Sequence, residues 1–128
     1  KVMMGFNINL GTADLKIAKK IAKALHSKKG GLSNVKAMAA FIPNMNITQI
    51  GMSITDFIST PLHRVFELIK IEAARYNVPV ISSEFCGLAP LEALIGVADY
   101  YLKIDNLTSR RILEMAVTKA MENKELQT

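Results

Sequence analysis

The opening stretch Lys1–Leu10 alternates with a period of two. Val2, Met4, Phe6, Ile8 and Leu10 fall on one side, and Met3, Gly5, Asn7 and Asn9 on the other. An extended strand sends successive side chains to opposite faces in this way. One side is apolar and the other carries two amides, so the strand belongs in a sheet that is covered on one face only. The rest of the chain must therefore supply both the partner strands and the cover.

The cover begins directly. After the break at Gly11-Thr12, the segment Asp14–Ser27 places Ile17, Ala18, Ile21, Ala22 and Leu25 at helical spacing, with Lys16, Lys19, Lys20 and Lys23 on the outer side. Thr12 or Asp14 is suited to cap it, and Gly30-Gly31 ends the unit as a turn. Val35–Ile42 and Ile47–Thr55 read as two strands joined through Pro43-Asn44, a hairpin. Thr60 as N-cap and Pro61 at the first helical position start a second helix with Leu62, Val65, Phe66, Ile69 and Ala73 inward. Asn77 tolerates the left-handed ending that precedes Pro79. Val78–Phe85 is the fourth strand, Leu91–Ala98 a short helix, and Thr108 or Ser109 caps a last helix with Ile112, Leu113, Ala116, Val117 and Ala120 as its buried stripe.

The order is β-α-β-β-α-β with additional C-terminal helices: an α+β, ferredoxin-like antiparallel sheet. One domain is expected over 1–128, its core over about 1–101 and its C-terminal helix over about 108–123. Half of the residues are hydrophobic and 21% are charged, enough for a single core in a chain of 128. No run approaches the roughly 20 apolar residues of a membrane helix, and no cleavage-site pattern follows Lys1–Leu10. The single cysteine, Cys86, excludes an internal disulfide and fits a reducing cytoplasm. A chain that opens on Lys1 suggests a piece of a longer polypeptide. The net charge of +5 favours anionic partners.

With both helices on one face, the other face carries Asn7 and Asn9 from the first strand, Gln49, Ser53 and Thr55 from the third, and Ser82 and Glu84 from the fourth. These are amides, hydroxyls and one carboxylate, each needing a hydrogen-bond partner when covered. Water can serve; so can a polar ligand in a cleft closed by another domain, which is the functional reading. His26 ends the first helix, where an imidazolium is stabilised by the helix C-terminus. His63, in the first turn of the second helix, reads as an interface or supporting residue. Neither histidine has partners at zinc-ligand spacing. Ser82-Ser83 lacks the nucleophile-elbow context, and Gly30-Gly31 lacks the Lys-Ser/Thr pair of a phosphate loop. Single-stranded RNA binding on a sheet face needs stacking aromatics, and the alternation points Phe6 to the helix side.

Specific strings then narrow the field. Phe6-Asn7-Ile8-Asn9-Leu10 followed by Ile17-Ala18-Lys19-Lys20-Ile21-Ala22-Lys23-Ala24, Gly30-Gly31-Leu32, Val35-Lys36-Ala37-Met38, and Gln49-Ile50 through Thr55-Asp56-Phe57 resembles the C-terminal subdomain of glutamate formiminotransferases. Pro61-Leu62-His63-Arg64-Val65-Phe66-Glu67, Val78-Pro79-Val80, Ser83-Glu84, Gly87-Leu88 and Pro90-Leu91-Glu92-Ala93-Leu94 continue it, so that it covers about 1–101. The resemblance implies two related subdomains with a folate tunnel between them, and transfer of a formimino group from N-formimino-glutamate to tetrahydrofolate, in histidine degradation or one-carbon metabolism. It also implies a homodimer, no nucleic-acid or membrane partner, and a catalytic histidine in the N-terminal subdomain, matched by no position here. Folate contacts are expected at Ala24, Leu25 and His26, and substrate contacts at Asn7, Asn9, Gln49, Ser53 and Glu84, with no catalytic residue and no metal ligand in this chain. There are two departures: animal members carry arginine where this chain has His26, and related sequences often have asparagine where it has Ser53. The alternative expectation is a stand-alone ferredoxin-like ligand-binding or dimerisation module without catalysis.

Overall fold

A computed structural model describes residues 2–127. Its strands are β1 (Met4–Leu10), β2 (Val35–Ile42), β3 (Ile47–Ile54) and β4 (Val80–Cys86). Its helices are α1 (Leu15–Leu25), α2 (Leu62–Ala74), α3 (Leu91–Leu102) and α4 (Leu113–Leu126), with short 3-10 turns at Ser27–Lys29 and Ser109–Arg111. The sheet order is β2-β3-β1-β4, every pairing antiparallel, which is the ferredoxin-like arrangement expected from the sequence.

β1 is central, and its alternation is realised residue by residue. Met4, Phe6, Ile8 and Leu10 are buried while Gly5, Asn7 and Asn9 stay partly accessible. Ile50, Met52 and Ile54 of β3 join them beneath Ala18, Ile21, Ala22 and Leu25 of α1 and Leu62, Val65, Ile69 and Ala73 of α2. Each fully buried Ile or Leu contributes about 1.5–3 kcal/mol, so this layer is the main stabilising element of the fold. Asp14 caps α1, its side chain accepting from the Lys16 N–H at 2.9 Å, and Thr12 Oγ1 accepts from the Asp14 N–H at 3.1 Å. At the other end Gly30 takes φ +84°, and a Cβ on Gly31 would overlap the Leu25 carbonyl, so the paired glycines are required by the turn.

The later part of the chain departs from expectation. Thr60 is buried, but its hydroxyl donates to the Ser33 carbonyl at 2.6 Å; α2 starts after Pro61 without a side-chain cap. Thr55 lies past the end of β3 and is held by the Asn34 carbonyl, so it does not join the open-face set. α3 runs to Leu102, four residues beyond the expected Ala98, and packs on α2. α4 begins only at Leu113, because Thr108 opens the 3-10 turn instead of the helix. The expected stripe of Ile112, Leu113, Ala116, Val117 and Ala120 is not buried: α4 has no buried residue, and Leu113 is 72% exposed. An amphipathic stripe reports a need for cover; this chain offers α4 no surface that meets it.

Candidate functional site

Register places the open-face residues in three rows across the sheet. Lys36, Ser53, Gly5 and Cys86 form one; Met38, Gly51, Asn7 and Glu84 the next; Ala40, Gln49, Asn9 and Ser82 the third. Directly opposed residues of antiparallel strands share a face, so four strands present one continuous surface. Neither α3 nor α4 lies over it: α3 packs on α2, on the opposite side of the sheet, and Asn7 and Asn9 remain accessible.

The polar groups form an ordered network. Asn9 Nδ2 donates to Ser82 Oγ at 2.9 Å, and Asn9 Oδ1 accepts from Gln49 Nε2 at 2.9 Å. Glu84 Oε1 accepts from Gln49 Nε2 at 3.4 Å and from Asn7 Nδ2 at 3.5 Å, and Asn7 Nδ2 also points at Cys86 Sγ, 3.0 Å away. One carboxylate therefore sets the orientation of two amides, and Asn9 is satisfied on both its donor and acceptor sides. Among the described residues no hydrogen bond reaches Ser53 Oγ or Asn7 Oδ1. Asn9 is thus a structural hub, while Asn7 and Ser53 keep capacity for another molecule.

The expected folate set sits elsewhere. Ala24 is partly accessible, Leu25 has no exposed surface and is part of the core, and His26 follows the end of α1. His26 Nδ1 accepts from the Lys28 N–H at 3.2 Å and so caps the 3-10 turn. His26 borders a depression of about 320 Å³ with Lys19, Lys23, Lys29 and Met38. Met38 also faces Gly51 across β2 and β3. The two candidate sets are not in one cluster, but Met38, 74% exposed, borders both.

Sequence reasoning had no reason to single out Met38 and Gly51, since neither carries reactive chemistry. The only available signal was the parity of β3, which puts Gly51 on the same face as Gln49 and Ser53. His63, expected as an interface or supporting residue, lies between α2 and α3. The His63 ring stacks on Tyr100 at 4.0 Å and 12°, and its Nδ1 is buried with no partner. Burial, with Arg64 adding to it and Asp99 and Glu67 opposing, holds the His63 pKa below the usual 6.5. Tyr101 donates to Glu67 Oε2 at 3.0 Å; burial and that bond push its pKa up to about 12. This cluster fastens α3 to α2, on the helix side of the sheet.

Among the described residues no group of His, Cys, Asp and Glu is placed to hold a metal, and no helix is long and apolar enough to cross a membrane. Fold and site together define the class: a ferredoxin-like α+β domain with helices on one side and an organised polar surface on the other. Residues 5–126 match the family model of the formiminotransferase domain. A glutamate formimidoyltransferase of Thermoplasma acidophilum is 44% identical over 118 residues, which cover 92% of this chain and 39% of the relative. One of Streptococcus pyogenes serotype M1 is 43% identical over 113 residues, covering 88% and 38%. The formimidoyltransferase-cyclodeaminase of Sus scrofa is 34% identical over 113 residues, covering 84% and 21%. The chain belongs to the formiminotransferase domain family, and it spans 39% or less of the length of these relatives.

Proposed function

We propose that this chain is the folate- and substrate-binding half of a glutamate formimidoyltransferase, which moves a formimino group from N-formimino-L-glutamate to tetrahydrofolate. The observation that carries the reading is the uncovered face with its hydrogen-bonded Asn9–Gln49–Glu84–Asn7 network, in a chain whose relatives are named for this transfer. Such a surface is set in advance, so little ordering remains to be done when a polar ligand arrives.

In the reaction a folate nitrogen attacks the formimino carbon and a new C–N bond forms. The tetrahedral intermediate collapses as the glutamate nitrogen leaves with the bond pair and takes up a proton. A base must remove the proton of the attacking nitrogen, and donors must steady the intermediate. The base is assigned to a histidine of an N-terminal subdomain. This half contributes positioning through Asn7, Asn9, Gln49, Ser53 and Glu84. The lysines around His26 suit the glutamate carboxylates of the folate, and Ala24, through its accessible surface, and His26 are the contacts assigned to that end. Tetrahydrofolate is the co-substrate, the assembly a homodimer and the compartment the cytoplasm. The reading of a stand-alone module is not favoured beside the family match.

The test is reconstitution. The chain is combined with the N-terminal region of a close relative, and formimino transfer is followed by glutamate release. Activity is expected only in the combined sample; turnover by this chain alone would place the base here and overturn the division of labour.

A further inference from the structure

β4 ends the sheet on one side and β2 on the other, and only β2 is protected. α1 packs over β2, Lys36 lies on it and Pro43 closes it. Proteins block a free strand edge with such devices, because its unpaired N–H and C=O groups recruit another strand. β4 holds no proline, lysine or arginine between Val80 and Cys86, and every residue after Val80 is exposed. Ile81 is 52% exposed and Phe85 36%. The bulge facing Asn9 and Leu10 falls at the start of the strand and leaves Ser82–Cys86 regular.

The edge is nearly a mirror of itself about Ser83, reading Ile81-Ser82-Ser83-Glu84-Phe85. An antiparallel second copy centred there sets Ile81 opposite the partner's Phe85, Ser82 opposite the partner's Glu84, and Ser83 on its own counterpart. Ile81 lines a depression of about 360 Å³ with Phe66 and Val80, and Phe85 one of about 280 Å³ with Phe66 and Leu94, so the apolar pair covers a groove that α2 and α3 leave open. The polar side matches donor to acceptor. Ser82 Oγ accepts from Asn9 Nδ2, and its own O–H has no acceptor among the described residues. Glu84 takes Gln49 and Asn7 on Oε1, and among the described residues no hydrogen bond reaches Oε2. A spare hydroxyl proton therefore faces a spare carboxylate oxygen twice across the axis, and a bond to an ionised acceptor is the stronger kind. Moving the centre one residue to Glu84 sets the two carboxylates against each other, which is destabilising.

We infer that β4 pairs antiparallel with β4 of a second copy about a twofold axis at Ser83, joining two four-stranded sheets into one, with the partner's Ser82 donating to Glu84. Each copy thereby adds a donor to the carboxylate that orients Asn7 and Gln49 in the other. The inference rests on the homodimer of the reading above and names its surface.

Sedimentation velocity of the chain across a range of concentrations tests it. The wild type is expected to dimerise, and Ser83→Lys, which sets two ammonium groups opposite at the axis, to raise the dissociation constant at least about tenfold. Thermal midpoints measured where both proteins are monomeric check that the exposed substitution keeps the fold. Independently, Ser83→Cys in a Cys86→Ser background should be linked into a dimer by a short bismaleimide, because directly opposed side chains start about 5 Å apart. Lys36→Cys in the same background, on the β2 edge, should stay monomeric. A wild type that is monomeric throughout, a dimer indifferent to Ser83→Lys, or equal linkage through Lys36→Cys would overturn the inference, the last two moving the interface to another surface. None of these readouts involves folate. Transfer that persists in the reconstituted sample would leave the proposed function standing without this surface, and a β4 dimer without transfer would count against that function alone.

Discussion

Replacing Asn9 by alanine tests whether the open face is a coupled network or a set of independent side chains. The change deletes two hydrogen bonds of 2.9 Å, one to Ser82 and one from Gln49. A typical bond contributes about 0.5–1.5 kcal/mol net. Ser82 is exposed, so water replaces its partner and that bond sits at the low end; the Gln49 bond is half-buried and sits nearer the middle. The sum is about 1.5 kcal/mol, which lowers the thermal midpoint of a domain this size by about 6 °C. Chemical denaturation of wild type, Asn9→Ala, Gln49→Ala and the double variant closes a cycle, and a coupling near 1 kcal/mol is expected for bonded neighbours. If the two single effects add to within about 0.3 kcal/mol, the amides act independently and Asn9 is no hub.

His63 gives a pH dependence with a definite sign. Its folded pKa lies below 6.5, so the unfolded chain binds more protons in the window beneath that value, and stability falls as the pH is lowered through it. His63→Phe, which keeps a ring against Tyr100, should flatten the denaturation midpoint between about pH 7 and 5.5; a wild-type slope that survives the substitution would assign it to another group. Gly5→Ala brings a Cβ to 2.8 Å from Cys86 Cβ within the central strand and should cost about 1–3 kcal/mol, with Cys86→Gly restoring part of it, since the Cys86 carbonyl oxygen stays 3.2 Å away; denaturation of the pair decides, and no rescue would mean the clash is with the backbone. Deleting residues 113–127 removes no buried side chain, so the thermal midpoint should move by less than about 4 °C; a larger fall in calorimetry would show that α4 is part of the core.

Much of this was legible because β1 carries two independent signals at the same period. The apolar side of Met4, Phe6, Ile8 and Leu10 sets which face is covered, and the amides at Asn7 and Asn9 then have only one place to go. A one-residue slip would exchange the two sets, so the pattern excludes odd shifts of register while leaving even ones open. The hydrogen bonds among those amides were not legible. Asn9 pairs with Gln49, 40 positions away, and with Ser82, 73 away, and periodicity within a strand contains nothing about which rows align across the sheet. Glycine hides in the same way: Gly5 and Gly51 share a face and a residue type, yet only the neighbours delivered by pairing make one filled and the other open.

The failure at α4 has a different origin. The spacing of Leu113, Ala116, Val117 and Ala120 is that of an apolar stripe, and a helix does form there. A stripe states that burial is favourable; it does not say against what. For α1 and α2 the covering surface is the sheet of this chain, so pattern and outcome agree. For α4 the chain presents no such surface, and the side chains stay exposed. The open sheet face differs again, because its residues are polar and need partners that donate and accept at set positions. An exposed apolar helix can be covered by many things. Asn7 Oδ1 and Ser53 Oγ are satisfied only by groups that donate to them, so of the two uncovered surfaces the sheet face is the more selective in what can cover it without cost.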